Sequence, residues 1–205
     1  MGPEVTELEA ALCERVGIRH AVTCGSGTDA LLLALMGLHL KPGQGVIVPS
    51  FTFTASAEVM PLLGAIPVFA EIDEETFTLC PSRLQDALQS AKDAQIEVVG
   101  IMVVGLFGQP AQMDEINAFA NTNGFWVLDD AAQSFGTEYR GRKTGSLTSV
   151  TCTSFFPAKP LGCYGDGGAL FTDNDEIADI ARSSRIHGQG AVSYTHLRAH
   201  ETSEN

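Results

Sequence analysis

The sequence predicts an α/β domain built on a largely parallel sheet with helices on its faces, and three observations carry that expectation. Short apolar or β-rich stretches alternate with helical ones along the chain, the pattern of repeated strand–helix–strand units. The runs "VVGIMVV" and "FWVL" are continuously apolar rather than alternating, as strands covered on both sides should be. The opening "MGPEVTELEAALCERVG" puts Val5, Leu8, Leu12 and Val16 on one helical stripe and ends it at Gly17, a common helix stop.

In order, that first helix leads to a strand at "HAVTC" and a strongly apolar, buried helix at "TDALLLALMGLH". A strand "GVIVPS", a helix "TASAEVMPLLG", a strand "AIPVFAEID" and a helix "PSRLQDALQSAK" follow. Next come the strand in "IEVVGIMVVGLFG", the helix "MDEINAFANTNG" and the strand "FWVLDD". The series ends with "VTCTSFF", a glycine-rich turn, "GGALFT" and a helix from about Asp175 to Arg185. There is no internal repeat, low-complexity linker or domain boundary before the last residues.

Composition narrows the function classes. With 205 residues, 44% hydrophobic and 18% charged, the chain can bury a core, and a net charge of −13 argues against nucleic acid or an anionic membrane as a partner. The longest apolar runs are about half of a membrane span, and the acidic start lacks a signal-peptide layout. These features point to a cytoplasmic protein. Five scattered cysteines form no CxxC pair and no zinc spacing, which reads as reduced thiols.

The last stretch breaks with the rest. "VSYTHLRAHET", Val192 to Thr202, places His196 and His200 four residues apart, a spacing open to a metal reading. The string instead resembles one reading frame of a transposase adapter used in library preparation. Residues 1–191 are therefore expected to form one domain and 192–205 a non-native tail, with no metal site.

Ligands of open α/β sheets collect at the carboxyl ends of strands, and three such ends carry chemistry. In "CGSGTDALLLAL" glycines lead straight into a helix, whose free N–H groups, with the Ser26 and Thr28 hydroxyls nearby, suit a phosphate. A tight turn without a ligand also fits, as does a loose dinucleotide pattern over Gly25, Gly27 and Ala30. The latter wants an acid about 20 residues on, where this chain has "VIVPS". In "FWVLDDAAQS", Asp130 and Gln133 share a face if the chain turns helical. A carboxylate there would keep an aromatic ring nitrogen protonated. The plainer reading has one aspartate capping a following helix, and Asp129 is the candidate for that role.

The third end is "TSFFPAKPLGCYGDGGALF", where Lys159 stands between Pro157 and Pro160. The prolines oppose a regular helix. Burial among aromatic neighbours would lower the lysine pKa and free an amine to attack an aldehyde, although lysines in turns are more often solvated. Ser154, five residues earlier, is placed to reach a phosphate.

Together, "SGTDALLLAL", "PSFTF", "GLFGQPAQMDEI", "DDAAQSFG", "TSFFPAKPLGCYGDGGALFT" and "IHGQG" make the chain, from about Gly2 to Gly190, similar to the DegT/StrS family of nucleotide-sugar aminotransferases. The resemblance implies the large domain of a type I pyridoxal-phosphate transferase. It implies that Lys159 forms the Schiff base with the cofactor and later shuttles a proton. Asp130 would bind the pyridine nitrogen, Gln133 would approach the phenolic oxygen, and Gly27, Thr28 and Ser154 would hold the phosphate. Phe53 would stack on the ring, against a plain reading as core packing.

The implied reaction moves an amino group, with glutamate as donor, onto the keto carbon of a nucleotide-linked sugar. The longest motif looks most like the branch that aminates a UDP-linked 3-keto-hexuronic acid for surface polysaccharide. Relatives with histidine in place of the lysine are dehydratases, so Lys159 favours transamination. Family members are homodimers nearly twice this length, so an N-terminal segment and a small C-terminal domain are expected to be missing, and a noncatalytic fragment remains an alternative to an active enzyme.

Overall fold

The structure, a computed structural model, describes residues 2–188. The alternation in the sequence becomes α1 (Pro3–Val16), β1 (His20–Cys24), α2 (Gly27–Gly37), β2 (Gly45–Pro49), α3 (Ala55–Leu62), β3 (Ile66–Ala70), α4 (Leu84–Asp93), β4 (Val98–Val104), α5 (Met113–Asn123) and β5 (Trp126–Asp130). A hairpin of β6 (Glu138–Tyr139) and β7 (Arg142–Lys143) follows, then β8 (Val150–Ser154), β9 (Gly168–Thr172) and α6 (Asp175–Ser184).

Seven strands form one sheet in the order β1-β9-β8-β5-β4-β2-β3. The pairings β2–β3, β2–β4, β4–β5 and β5–β8 are parallel. Strand β9 runs antiparallel to both β8 and β1, which leaves β1 aligned with the rest. The carboxyl ends of β1, β2, β4, β5 and β8 therefore share one edge, and the loops that leave them share a surface.

Strand side chains alternate between two cores. On one face Val46, Val48, Met102, Leu128, Val150 and Leu170 pack under α2, α3 and α6. On the other, Ile47, Ile101, Val103 and Val127 pack under α4 and α5, and Ala21, Ala169 and Phe171 pack under α1. Double coverage is why β2, β8 and β9 are buried at every position.

Helix α1 begins with Pro3 and ends at Gly17 in the left-handed region (φ 81°), a conformation that glycine adopts without a Cβ clash. Only the second half of its apolar stripe is covered: Leu12 and Val16 are buried, but Leu8 is 41% exposed. A half-buried ion pair ties this helix to the turn after α6. Glu9 Oε1 accepts the Thr23 N–H (2.9 Å) and hydroxyl (2.8 Å) and pairs with the Arg185 guanidinium, which also donates to Thr23 O at 3.0 Å. Burial pushes the Glu9 carboxyl up, but the Thr23 N–H and Arg185 outweigh it and hold the group below its ordinary value.

The β6–β7 hairpin left no mark in the apolar pattern, because its strands are two residues long and mostly exposed. Its turn has positive φ at Arg140 (50°) and Gly141 (77°), as a two-residue type I′ turn requires. Arg140 and Arg142 pin it to Asp114 at the start of α5, at 2.5 and 2.8 Å. No helix among the described residues is long and apolar enough to cross a membrane. Gln189 and Gly190 of the last family motif, and the expected tail over 192–205, lie outside the described residues.

Candidate functional site

Every residue singled out by the sequence stands at the shared strand edge. Gly27 and Thr28 open α2 after β1, Phe53 lies in the turn after β2, Asp130 ends β5 with Gln133 just beyond, and Ser154 ends β8 with Lys159 in the turn after it.

The α2 entrance and the end of β8 are in close contact. A Cβ built on Gly27 would lie 2.7 Å from Ser154 Cβ, and one on Gly168 would lie 2.3 Å from Ser26 O. Three chain segments converge here with no room for a side chain. Ser26 is the helix cap, its Oγ accepting the Asp29 N–H at 3.0 Å. The N–H groups of Gly27 and Thr28, ahead of the capped one, have no acceptor within the helix. Ser154 Oγ accepts the Phe156 N–H at 3.2 Å, which leaves its own proton to give. A cluster of donors of this kind suits a phosphate.

The two aspartates differ sharply, although both are buried. As neighbours on a strand they face opposite sides of the sheet. Asp130 is satisfied at both oxygens: Oδ2 accepts the Ser56 hydroxyl at 2.7 Å, and Oδ1 accepts the Ala132 N–H at 3.1 Å. Burial outweighs Ser56, the Ala132 N–H and the positive charge of Lys159, which pull the other way, so the Asp130 carboxyl stands above its ordinary value. Asp129 lacks those influences. Burial and the neighbouring Asp130 push it up to about 8. Of the two carboxyls, only Asp130 has donors that favour its charged form. The cap-type bond expected of Asp129 is made by Asp130 instead, because the chain after β5 forms a single helical turn, closed by Phe135 N–H to Ala131 O at 2.9 Å. That turn puts Gln133 on the cleft side.

Lys159 is aimed by its turn. Its N–H donates to Phe156 O at 2.8 Å, Cys163 N–H donates to Phe155 O at 2.7 Å, and a Cβ on Gly162 would meet Pro157 O at 2.5 Å. The enclosure by phenylalanines expected from the sequence is absent. Phe155 turns into the core, Phe156 is 49% exposed, and Lys159 is half-buried. Its Nζ instead stands 5.9 Å from the centre of the Phe53 ring, a cation–π distance. Phe53 is 64% exposed, so core packing does not account for it.

Lys159 and Gln133 line an open cleft of about 520 Å³ with Phe107, Ala158 and Pro160. Gln133 Oε1 accepts the Phe107 N–H at 3.0 Å, which turns its amide NH₂ group away from that bond as a donor. Phe107 has φ 58° and packs with Phe51 and Phe77 at ring separations near 6 Å. Three participants escaped sequence reasoning: Ser56, the Phe107 amide and Gly168. Ser56 is 74 residues from Asp130, and no local pattern signals such a pairing.

The edge thus collects N–H and hydroxyl donors, a buried carboxyl held by two donors, an exposed aromatic face and a primary amine, a set that fits a phosphorylated aromatic aldehyde. It does not fit a dinucleotide, whose ribose acid is replaced at the end of β2 by Pro49 and Ser50.

Comparison with known proteins agrees. The model of the DegT/DnrJ/EryC1/StrS aminotransferase family matches residues 1–202. The chain is 48% identical over 198 residues to the UDP-2-acetamido-2-deoxy-3-oxo-D-glucuronate aminotransferase of Pseudomonas aeruginosa, covering 97% of this chain and 53% of that one. A crystal structure of a DegT/DnrJ/EryC1/StrS aminotransferase from Brucella abortus superposes with a TM-score of 0.92 at 44% identity, over 97% of this chain and 53% of the other. The crystal structure of NtdA from Bacillus subtilis with bound cofactor PMP superposes with a TM-score of 0.81 at 30% identity, over 89% and 40%. This chain therefore spans about half the length of the relatives it matches. It belongs to the DegT/DnrJ/EryC1/StrS aminotransferase family.

Proposed function

We propose that this chain is the cofactor-binding part of a cytoplasmic, homodimeric, pyridoxal-phosphate-dependent aminotransferase that moves an amino group from glutamate to the keto carbon of a nucleotide-linked sugar. The observation that carries the reading is the meeting of Gly27 with Ser154, and of Phe53 with Lys159, at the edge where Asp130 ends β5. Gly27, Thr28 and Ser154 would hold the phosphate, Asp130 the ring nitrogen, Phe53 the ring face, and Gln133 the phenolic oxygen through its NH₂ group.

When bound, pyridoxal phosphate supplies an electron-withdrawing ring that accepts the electron pair released at a substrate carbon. The protein does the rest. Asp130, held at both oxygens by donors that favour its charged form, would make a positive charge favourable beside it. Lys159 Nζ would hold the cofactor at its aldehyde carbon and would carry a proton at that position. The Gly27–Ser154 contact fixes how far a phosphate can sink between α2 and β8. The identity to the Pseudomonas relative favours a UDP-linked 3-keto-hexuronic acid as the sugar, in the making of surface polysaccharide.

The test is to incubate the chain with pyridoxal phosphate, reduce with borohydride and map the modified peptide by mass spectrometry. A single adduct on Lys159 is expected, and a folded chain with no preferred adduct would overturn the reading. Turnover of glutamate and the UDP-linked keto sugar by a version carried to full family length would then separate an active enzyme from a noncatalytic relative.

A further inference from the structure

We propose that Ser56 is the positioning residue for the site's acid: from the start of α3 its hydroxyl fixes Asp130 Oδ2 at 2.7 Å and so leaves the opposite side of the carboxylate to face a ligand. The inference rests on the reading of Asp130 above. Ser56 is fully buried, and α3 does not need it. Ser56 is the second residue of α3, and its hydroxyl makes its hydrogen bonds to Asp130 and Thr52 rather than to the helix's own backbone. Its neighbours Ala55, Val59 and Met60 are buried and apolar. A hydroxyl here is explained by what it touches.

Its single proton goes to Asp130 Oδ2. Ser56 Oγ must then accept from Thr52 Oγ1, 3.2 Å away. The hydroxyls form a directed line, Thr52 to Ser56 to Asp130, in which each bond polarises the next. Thr52 and Ser56 flank Phe53 in the same β2–α3 connection. One hydrogen bond thus ties the segment that carries the aromatic face to the strand that carries the acid. The other ionisable groups around Asp130 are Asp129 on its own strand, Cys152 on β8 and Lys159 beyond β8. None of them donates to Oδ2 in place of Ser56.

The test uses the 205-residue chain with carboxyl-labelled aspartate, following Asp130 by ¹³C NMR across pH with no cofactor added. Ser56→Ala and the closer isostere Ser56→Cys are expected to raise the Asp130 titration midpoint, and Ser56→Thr to restore it. The same two variants should weaken pyridoxal phosphate binding about tenfold, the loss expected for one charge-assisted hydrogen bond, while the borohydride adduct stays on Lys159. An unmoved Asp130 midpoint in both Ser56→Ala and Ser56→Cys overturns the proposal, as does a threonine variant that behaves like alanine. A wild-type chain that binds no pyridoxal phosphate while the midpoint still moves would remove the cofactor reading and uphold the Ser56–Asp130 coupling.

Discussion

Gly27 and Ser154 meet so closely that a methyl group on Gly27 would stand 2.7 Å from Ser154 Cβ. The contact joins the start of α2 to the end of β8, two elements separated by more than half the chain. It sets the depth of the donor cluster on either side.

Replacing Gly27 with alanine should push these elements apart by a few tenths of an ångström. Overpacking of this kind costs about 1–3 kcal/mol, which urea denaturation would read. Affinity for pyridoxal phosphate should fall by about tenfold or more, whereas affinity for pyridoxal without the phosphate should barely change. Equal losses for the two would place the phosphate elsewhere.

Asp129 predicts a pH slope. Its carboxyl is raised from 3.8 to about 8 in the folded chain, so between those values the folded state holds a proton that the unfolded state has lost. Stability from this group is full at low pH and drains away as pH rises toward 8. Asp129→Asn should flatten the slope: thermal melts at pH 8 should show the variant more stable than wild type, with the gap closing toward pH 4.

Glu9 predicts the opposite sign. Held below its ordinary value of 4.5, it contributes stability at neutral pH that disappears as acid protonates it. Glu9→Ala strands Arg185, whose side chain is only 12% exposed, and takes the acceptor from Thr23. The expected cost at pH 7 is about 3–5 kcal/mol, and chemical denaturation curves of the two proteins should converge below about pH 4.

Gln133→Ala removes the acceptor of the Phe107 N–H. Phe107 then keeps its left-handed backbone, φ 58°, without the bond that holds it. Hydrogen exchange at that amide should quicken by about tenfold, the equivalent of one hydrogen bond, while amides of β4 and β5 keep their protection.

Most strands and helices were legible because burial on two faces writes continuous apolar runs, as in "VVGIMVV", and one-sided burial writes stripes, as in α1. Lys159, Asp130, Gln133 and Ser154 were legible for a different reason: each follows a recognisable strand, and parallel topology delivers such positions to one edge. What could not be read was pairing at a distance. Nothing near Ser56 marks it as the partner of Asp130, and nothing in the local pattern distinguishes Ser26, whose hydroxyl caps α2, from Ser154, whose hydroxyl accepts from Phe156. The roles of Asp129 and Asp130 toward the following turn were exchanged for the same reason: which of two adjacent carboxyls reaches Ala132 depends on the face each takes. The hairpin over 138–143 is held by ion pairs to α5, an interaction with no periodicity.

The place of β9 between β1 and β8 carries a consequence for how the molecule is made. Strand β1 is made well before its partner in the sheet, β9, with His20 opposite Thr172. At a synthesis rate of about 5–20 residues per second, β1 waits on the order of 10 s for that partner. The parallel strands β2 to β5 can pair in the meantime, so the sheet grows from its middle and closes last at the edge that carries Gly27. Pairings this far apart in sequence slow folding through the cost of closing the loop. Among the described strands, the pairing that brings Gly27 against Ser154 and Gly168 against Ser26 is therefore completed only after β9 has been made.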